Sequence, residues 1–380
     1  MNRVTIDAAA LRHNIQVVDS WMREHKAEWA LVTKCLCGHG ETLTALENMG
    51  VPAFADSRLR NLRMIRDYAP KMSTWYLRLP HFSAIGRIVS MSEVSLNSEE
   101  ELIVALNAEA ARQNKIHGII VMIEVGDLRE GILPGHLVQF YENIFQLPNV
   151  RVLGIGANIG CLSGSVPNPE QFMQLAMYHE LLELKFKKKL PFISAGASSA
   201  LPLLLEGGLP AGINHFRIGE AVFLGTDLVR GGILPGLRGD AITLEAEVVE
   251  IKEKSLIAMG DTSLITPFES SFEQPDVEGS ASRRGYRAIV SVGQLDTDVG
   301  GLVPRNPQFK IAGASSDVTV LNVGEEDAGV RLGDVVKFDV NYSALVRLMN
   351  NTYTDRVLLP ETEAEKKAVA QTEATKLATA

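Results

Sequence analysis

The stretch Ala30-Leu-Val-Thr-Lys-Cys-Leu-Cys-Gly-His-Gly40 opens the repeating pattern that decides the fold. An apolar run, 29–32, is followed by Lys34 and then by two glycines, which is typical of a buried strand that runs into a turn. A lysine at the end of a buried strand is poorly solvated, which favours its neutral, nucleophilic amine. A Schiff-base lysine needs such an amine. The alternative is an ordinary lysine whose ammonium group reaches solvent.

Further apolar runs continue the pattern along the first 235 residues. Helical periodicity fills the intervals between them, at 41–49, 58–68, 82–89, 98–114, 136–147, 168–187 and 200–206. Counting the run near Trp29, the strand candidates begin near Trp29, Val51, Thr74, Glu93, Ile119, Val150, Phe192 and Ile213. Eight strands alternating with helices predict an α/β fold with a closed parallel (β/α)8 TIM-like barrel over 1–235. An open doubly wound sheet is the alternative, but no Gly-rich dinucleotide turn follows the first strand.

Local signals mark four further segments. Val4 to Asp7 is strand-like, and 11–18 has helical spacing. Ser98-Glu-Glu-Glu carries a capping-box signature, which predicts a helix start with Ser98 as the cap. Asn168-Pro-Glu places a cap residue before a proline at the first helical position.

The rhythm changes after Gly225. A glycine- and proline-rich connection, 231–239, leads into β-branched runs without intervening helices, at 243–251, 255–259, 286–292, 317–323 and 335–340. We interpret 236–360 as a smaller C-terminal β-rich domain. The acidic, serine-rich segment 269–282 is expected to be a surface excursion, and the tail 361–380 to be disordered or weakly helical.

Composition excludes several functional classes. A net charge of −9 and a pI near 5.5 argue against a nucleic-acid or anionic-membrane surface. No apolar run reaches membrane-spanning length, and the N-terminus lacks the regions of a signal peptide. Three cysteines, Cys35, Cys37 and Cys161, form no CxxC pair and no disulfide framework. We therefore expect a reduced, cytoplasmic protein, and no metal site is predicted.

Chemistry in a (β/α)8 barrel comes from the carboxyl ends of the strands, with phosphates bound after strands seven and eight. A lysine, two arginines, an amide and a Ser/Gly turn follow the predicted strands, namely Lys34, Arg129, Asn158, Ser198-Ser199 and Arg217-Ile-Gly219-Glu220. Each alone is commonly structural. Together they suit an anionic, phosphorylated, carbonyl-bearing cofactor.

The motifs resemble the alanine racemase family of fold-type III pyridoxal-phosphate (PLP) enzymes. The resemblance covers about 1–358 and includes Thr5-Ile-Asp-Ala-Ala-Ala-Leu-Arg-His-Asn-Ile and Arg217-Ile-Gly-Glu. The details resemble its ornithine racemase branch, in Val32-Thr-Lys-Cys-Leu-Cys-Gly, Glu124-Val-Gly-Asp-Leu-Arg-Glu-Gly-Ile, Gly313-Ala-Ser-Ser-Asp317 and Asn341-Tyr-Ser-Ala-Leu-Val-Arg-Leu-Met.

The resemblance implies a role for each matching residue. Lys34 would form the imine with PLP and act as one acid/base on the substrate α-carbon. Arg217 would face the pyridine nitrogen and keep it unprotonated, since arginine does not give up its proton. Arg129 matches an arginine near the phenolic oxygen, and Asn158 a residue against the ring. The phosphate would be held by Ser198 and by the backbone N–H groups of Gly219 and Glu220.

The second catalytic base departs from the family pattern. The family places a tyrosine from the partner subunit on the opposite face of the α-carbon, but that position here is Gln294, which cannot be a base. The tyrosine that the family has after the lysine is also missing, and Cys37 lies nearest. Candidates for the missing base are Asp317, Asp296, Tyr342, Tyr353 and Cys37. A nearby lysine cation favours a Cys37 thiolate, whereas a cysteine in an apolar turn is usually inert.

These expectations lead to a PLP-dependent amino-acid racemase, acting on a basic amino acid such as ornithine or lysine. Acidic residues near the mouth are compatible with a cationic side chain or are solvated loop charges, namely Asp127, Glu130, Glu220 and Asp227. A decarboxylase or lyase of the same fold, and a non-catalytic PLP homeostasis protein, are the alternatives. The resemblance also implies a homodimer in which Ser315, Ser316 and Asp317 complete the partner's site.

Overall fold

A computed structural model describes residues 2–160, 162, 164–256 and 284–362. The expected excursion at 269–282, Cys161, the end of the run 255–259 and all but two residues of the tail 361–380 lie outside this range. The described chain forms two compact units, Leu11–Arg238 and the described parts of Met1–Ala10 with Gly239–Ala380. In these described ranges, no helix combines the length and the apolar character needed to cross a bilayer.

Strand β1 (Asn2–Asp7) and helix α1 (Ala8–Glu24) begin the chain, and a barrel follows. Its parallel strands are β2 (Glu28–Val32), β3 (Ala53–Asp56), β4 (Ser73–Tyr76), β5 (Val94–Asn97), β6 (His117–Met122), β7 (Val150–Gly156), β8 (Phe192–Ala197) and β9 (His215–Ile218). Pairing of β9 with β2, which places Arg217 opposite Ala30, closes the barrel. The predicted (β/α)8 fold is confirmed, and each strand begins within two residues of the position expected from the sequence.

In the described part of the chain, seven α-helices connect successive barrel strands, and an eighth follows the last one. They are α2 (Gly40–Glu47), α3 (Leu59–Tyr68), α4 (Ile85–Met91), α5 (Glu100–Arg112), α6 (Leu137–Ile144), α7 (Pro169–Phe186), α8 (Leu201–Leu205) and α9 (Glu220–Leu224). Helix α7 begins as predicted, because Asn168 accepts a hydrogen bond from Gln171 N and completes a capping box with it. The capping box expected at Ser98 is wrong. Glu99 is the cap of α5 and makes no side-chain cap bond, so Ser98 lies outside the helix.

The barrel interior is filled by side chains from alternate strand positions. A buried cluster of small and branched residues, with one tryptophan, comprises Ala30, Val32, Ala53, Ala55, Trp75, Val94, Leu96, Ile120, Met122 and Leu153. Each fully buried large aliphatic side chain contributes about 1.5–3 kcal/mol to folding. Gly154 is required where β7 meets β8, since a Cβ there would overlap the Phe192 carbonyl oxygen.

In the described part of the second unit, a mainly antiparallel sheet is accompanied by a helix. Its elements are β10 (Ile242–Ser255), β11 (Arg284–Val290), β12 (Leu302–Pro304), β13 (Lys310–Ala314), β14 (Thr319–Gly324), β15 (Val335–Val340), α10 (Tyr342–Asn350) and β16 (Asp355–Leu359). The order β12-β15-β10-β11-β14-β13 describes the sheet, and the predicted C-terminal β-rich domain is confirmed.

The first strand departs from the division at residue 235. Strand β1 pairs antiparallel with β10 and parallel with β16, so the chain's first ten residues belong to the β-rich unit. The reason is the closure of the barrel. Strands β2 to β9 already satisfy one another's backbone groups, so the barrel offers no free edge, whereas the open sheet does.

Candidate active site

Lys34 lies at the carboxyl end of β2, at the start of a single 3-10 turn, Lys34–Leu36. The expectation that its side chain is poorly solvated is wrong, because Lys34 is exposed. Strand β2 ends at the buried Val32, and Lys34 begins the turn two residues later. Its position at the mouth agrees with the sequence prediction, and its charge acts on the carboxyl group of Glu220.

A buried carboxyl group supports the turn that carries Lys34. Asp56, the last residue of β3, accepts hydrogen bonds from Thr33 Oγ1 at 3.1 Å, Arg58 N at 2.9 Å and Asn61 Nδ2 at 3.1 Å. Burial raises the pKa of Asp56 to about 6, although these hydrogen bonds partly offset the effect. Asp56 therefore ties the end of β3 to the residue directly before Lys34.

The two described cysteines of this stretch differ. Cys35 is fully buried, and burial above all raises the pKa of its thiol far above the usual range. Cys37 is partly exposed and ends the turn with a left-handed φ of 50°, which brings its Sγ 3.8 Å from the Lys34 carbonyl oxygen. Cys37 thus lies next to Lys34, as expected, and its catalytic role stays a prediction.

Arg217 is a buried cation in the barrel interior. Its Nη1 donates to Ser194 Oγ at 2.6 Å and also to the Ser194 carbonyl oxygen. Its Nη2 donates to Ala157 O at 2.8 Å and Asn158 Oδ1 at 3.0 Å. These four bonds compensate for the removal of the guanidinium from water and fix its orientation.

A chain of hydrogen bonds joins Arg217 to Arg129. Asn158 accepts from Arg217, and its Nδ2 donates to Glu130 Oε1 at 2.7 Å. Glu130 in turn accepts from Arg129 Nη2 at 2.8 Å. Three predicted site residues, Arg217, Asn158 and Arg129, are thereby brought together through Glu130.

The loop that carries Arg129 folds back on β6. Glu124 accepts hydrogen bonds from the backbone N–H groups of Gly126, Leu128 and Arg129, the last two at 3.2 Å. At Gly131 a Cβ would collide with the backbone of Glu124. The spacing of the motif from Glu124 to Gly131 therefore fits a closed loop whose backbone N–H groups donate to the Glu124 carboxylate.

The predicted phosphate residues lie after β8 and β9. Ser198 is buried, and its Oγ accepts from Ala221 N at 3.2 Å. A Cβ at Gly219 would lie 2.9 Å from the Val32 carbonyl oxygen, so Gly219 allows this segment to approach the end of β2. Glu220 follows at the start of α9 and accepts from Thr226 Oγ1 at 3.1 Å. Ser198, Gly219 and Glu220 therefore converge, as predicted.

The other acidic residues near the mouth have internal partners. Asp127 is buried and accepts from Leu162 N at 3.1 Å. Asp227 accepts from Val229 N and Arg230 N, both at 2.9 Å. Both carboxylates are buried and accept hydrogen bonds from backbone N–H groups. The alternative of a solvated loop charge is therefore wrong for these two residues.

The remaining candidates for the second base lie in the β-rich unit. Asp317 is exposed and so is Tyr353, at 89% of its full surface. Asp296 accepts from Gly293 N at 3.0 Å and from Asn351 Nδ2 at 3.1 Å. Within that unit the segments of Gln294 and Asp317 are adjacent, since Gln294 N donates to Ser315 O at 2.9 Å. Tyr342 begins α10. Whether any of these is a base stays a prediction.

Sequence reasoning did not foresee the contacts of three residues that hold the site together, although it named Glu130 as an acidic residue near the mouth. Ser194 anchors Arg217, Glu130 links two predicted residues, and Asp56 supports the Lys34 turn. Glu130 had a signal, its place in the Gly-Asp-Leu-Arg-Glu-Gly string. Ser194 and Asp56 sit inside ordinary strand patterns, where a polar residue gives no indication of its partner.

Comparisons with known proteins agree with this geometry. The family model described as alanine racemase, N-terminal domain, matches residues 6–227. The chain belongs to this family. An ornithine racemase from Acetoanaerobium sticklandii is 32% identical over 358 residues, which is 94% of this chain and 99% of that protein. A lysine racemase from Thermotoga maritima is 30% identical over 94% of this chain and 98% of its own length.

A solved structure of an alanine racemase has a fold that matches this chain over most of its length. The alanine racemase from Corynebacterium glutamicum matches with a TM-score of 0.71 at 17% identity, over 94% of this chain and 99% of that chain. At this identity the match shows the architecture alone, a barrel followed by a β-rich domain.

Proposed function

We propose that this chain is a PLP-dependent racemase of a basic amino acid. The observation that carries the proposal is the placement of a lysine and a buried arginine at one barrel mouth. Lys34 ends β2, and Arg217 lies on β9, the strand paired with it. The relatives named ornithine racemase and lysine racemase support both the reaction and the class of substrate.

The donors at the mouth fit a phosphorylated pyridoxal. A buried guanidinium with fixed orientation suits the acceptor nitrogen of the ring, and Ser198 with the backbone at Gly219 suits the phosphate. PLP, when bound, supplies an aldehyde that takes up the substrate amine and an electron-withdrawing ring that acidifies the α-proton. Lys34 would hold the cofactor. Arg129, which Glu130 joins to Asn158, would contact the cofactor beside Asn158.

The roles of the chain's own residues follow from their chemistry. Arg217 can only donate, so it would hold the ring nitrogen of the cofactor as an acceptor and limit the withdrawal of electrons by the ring. Lys34, on its exposed turn, moves a proton to or from the α-carbon on one face. Cys37, Asp317 and Tyr353 are the proposed candidates on the other face. We further expect a homodimer whose sites are completed in trans, in the cytoplasm.

A cationic substrate side chain needs a negative partner. Glu220 is half-buried, interacts with the Lys34 charge, and has its pKa raised by burial, partly offset by Thr226 and Lys34. Because Glu220 interacts with the charge of Lys34, we propose it as the group nearest to the cationic side chain of the substrate.

The test compares Lys34→Ala with Lys71→Ala, an exposed lysine outside the mouth. Wild type and Lys71→Ala should become covalently labelled by PLP and borohydride and should exchange the α-proton of L-ornithine in heavy water with loss of optical rotation. Lys34→Ala should lose the label at this peptide and at least about a thousandfold of the rate. Retained labelling in Lys34→Ala overturns the proposal, and ammonia or carbon dioxide release by the wild type indicates a lyase or decarboxylase instead.

A further inference from the structure

One hydroxyl group connects the buried arginine to a buried histidine. Ser194 Oγ on β8 lies 2.6 Å from Arg217 Nη1 and 2.8 Å from His215 Nδ1. Arg217 and His215 are both on β9, two residues apart, so their side chains lie on the same face of the strand, inside the barrel. Ser194 is directly opposite His215 in the strand register.

The protons in this trio can be assigned from donor and acceptor chemistry. A guanidinium has only donors, so Ser194 Oγ must accept from Arg217. The hydroxyl has one proton of its own, and His215 Nδ1 is its other partner. If Nδ1 carried a proton, the buried serine proton would have no acceptor, which is costly inside a protein. Ser194 therefore donates to Nδ1, and the proton of the neutral imidazole is on Nε2.

The surroundings of His215 keep the ring neutral and fixed. His215 is only 2% exposed and stacks on Trp75 with ring centroids 4.3 Å apart and planes at 6°. Phe192 contacts it from a second side, with centroids 5.1 Å apart. Burial, and then the charge of Arg217, lower the pKa of His215 to about 3. The ring can therefore accept a hydrogen bond at Nδ1 throughout the neutral range.

We propose that Ser194 and His215 are positioning residues for Arg217: His215, held as the Nε2–H tautomer, orients the Ser194 hydroxyl so that its oxygen lone pair faces the guanidinium. Part of this inference, the effect on the cofactor, rests on the proposed function. The tautomer does not, because it depends only on contacts inside the barrel.

The first experiment reads the tautomer directly on the full chain with no cofactor added. In protein labelled with 15N-histidine, His215 should give the cross-peak pattern of a neutral Nε2–H ring near pH 7, and its signals are identified by their loss in His215→Asn. Ser194→Ala should change the Nδ1 signal and mix the two tautomers. An Nδ1–H ring in the wild type, or a Ser194→Ala spectrum identical to wild type at His215, overturns the proposal.

The second experiment measures the dissociation constant of PLP in matched variants. His215→Phe keeps the stack on Trp75 but removes the acceptor, whereas His215→Asn places an amide oxygen near the position of Nδ1. We expect PLP binding about tenfold weaker in Ser194→Ala and His215→Phe, and within about threefold of wild type in His215→Asn.

A similar serine and histidine elsewhere in the barrel provide the control. Ser95 Oγ lies 2.9 Å from His117 Nε2, and neither residue contacts Arg217. Ser95→Ala should therefore leave PLP binding unchanged. Equal weakening in Ser95→Ala, or in His215→Asn and His215→Phe, would indicate a merely structural effect and overturn the proposal. Absence of PLP binding in the wild type would instead count against the proposed function, with the tautomer result still standing.

Discussion

The two ends of the barrel treat buried basic side chains in opposite ways. Toward the carboxyl ends of the strands, Arg217 remains charged although it is buried, because four hydrogen bonds surround it. At the amino ends, His117 and His215 begin their strands, are equally buried, and are kept neutral. Burial for both histidines, helped by Lys115 and Arg217 respectively, lowers their pKa to about 4 and about 3.

The difference shows what decides whether a buried group keeps its charge. Desolvation acts at both ends of the barrel, and the four bonds to oxygen acceptors around Arg217 compensate for it. The cavity of about 600 Å³ at the amino end is lined by Trp75, Phe192 and His215 and also by the charged residues Glu93, Lys115 and Arg151. A buried positive charge is thus available where chemistry is expected, whereas the two buried histidines at the opposite end are neutral.

The largest effect is expected from Arg217→Met. Arg151, an arginine at the opposite end of the barrel, provides the control. Arg217→Met should lower the free energy of unfolding by about 3 kcal/mol, because it leaves several buried acceptors without a donor. Arg151 on β7 is exposed and has no ion pair or hydrogen bond within the described chain, so Arg151→Met should change stability by less than about 0.5 kcal/mol. Urea unfolding of both variants tests this, and equal losses would contradict the comparison.

The neutral histidines predict acid sensitivity. His117 has a lowered pKa in the fold, from 6.5 to about 4, so its contribution is complete above pH 6.5 and is lost as the pH falls through 4. This histidine should account for about 3 kcal/mol of the decrease in unfolding free energy. His117→Gln should remove that share of the pH dependence, whereas His136→Gln, on the surface, should not. An unchanged slope in His117→Gln would refute the assignment.

Asp56, at the carboxyl end of β3, should show the opposite sign. Its pKa is raised from 3.8 to about 6, so its contribution is complete below 3.8 and is lost as the pH rises through 6. Relative to wild type, Asp56→Asn should gain up to about 3 kcal/mol between pH 4 and 7. The exposed Asp67→Asn is the control, with chemical denaturation at both pH values as the measurement. A constant difference between variant and wild type would show that Asp56 is ionised throughout.

The smallest effect is expected at Glu130, in the chain of hydrogen bonds that joins Arg217 to Arg129. Glu130→Gln removes the ion pair with Arg129, which is 36% exposed, and retains an amide oxygen for Asn158. Stability should change by less than about 1 kcal/mol, because exposed pairs contribute little. Thermal unfolding measures this, and PLP titration should show weakening of about threefold or less. A loss of stability as large as that of Arg217→Met would mean that the whole chain of hydrogen bonds, and not the bonds of Arg217 alone, stabilises the buried charge.

The sequence predicted the barrel well for a physical reason. Parallel strands buried on both faces are continuous apolar runs, so Val150 and Phe192 began their strands where the pattern began. The β-rich unit was harder. Strands β12, β13 and β16 are three to five residues long, and nothing within the first strand indicates partners that lie about 240 and 350 residues later.

The site was predictable where one residue carries the signal. Lys34, Arg217 and Ser198 follow from strand ends, because the barrel brings those ends together. The exposure of Lys34 was missed, since it depends on the turn after the strand ends. Ser194 and His215 were missed because a serine and a histidine on separate strands reveal no partnership until the strands are in register.

The pairing of β1 with both β10 and β16 has a consequence for biosynthesis. At roughly 5–20 residues per second, a ribosome needs on the order of tens of seconds to make the strands that flank it. During that interval Val4 and Ile6, both fully buried in the finished protein, have no hydrogen-bonded neighbours in the sheet. The nascent chain thus carries β1 as an unpaired apolar strand until translation has passed Leu359, and it is this segment that a chaperone would have reason to hold.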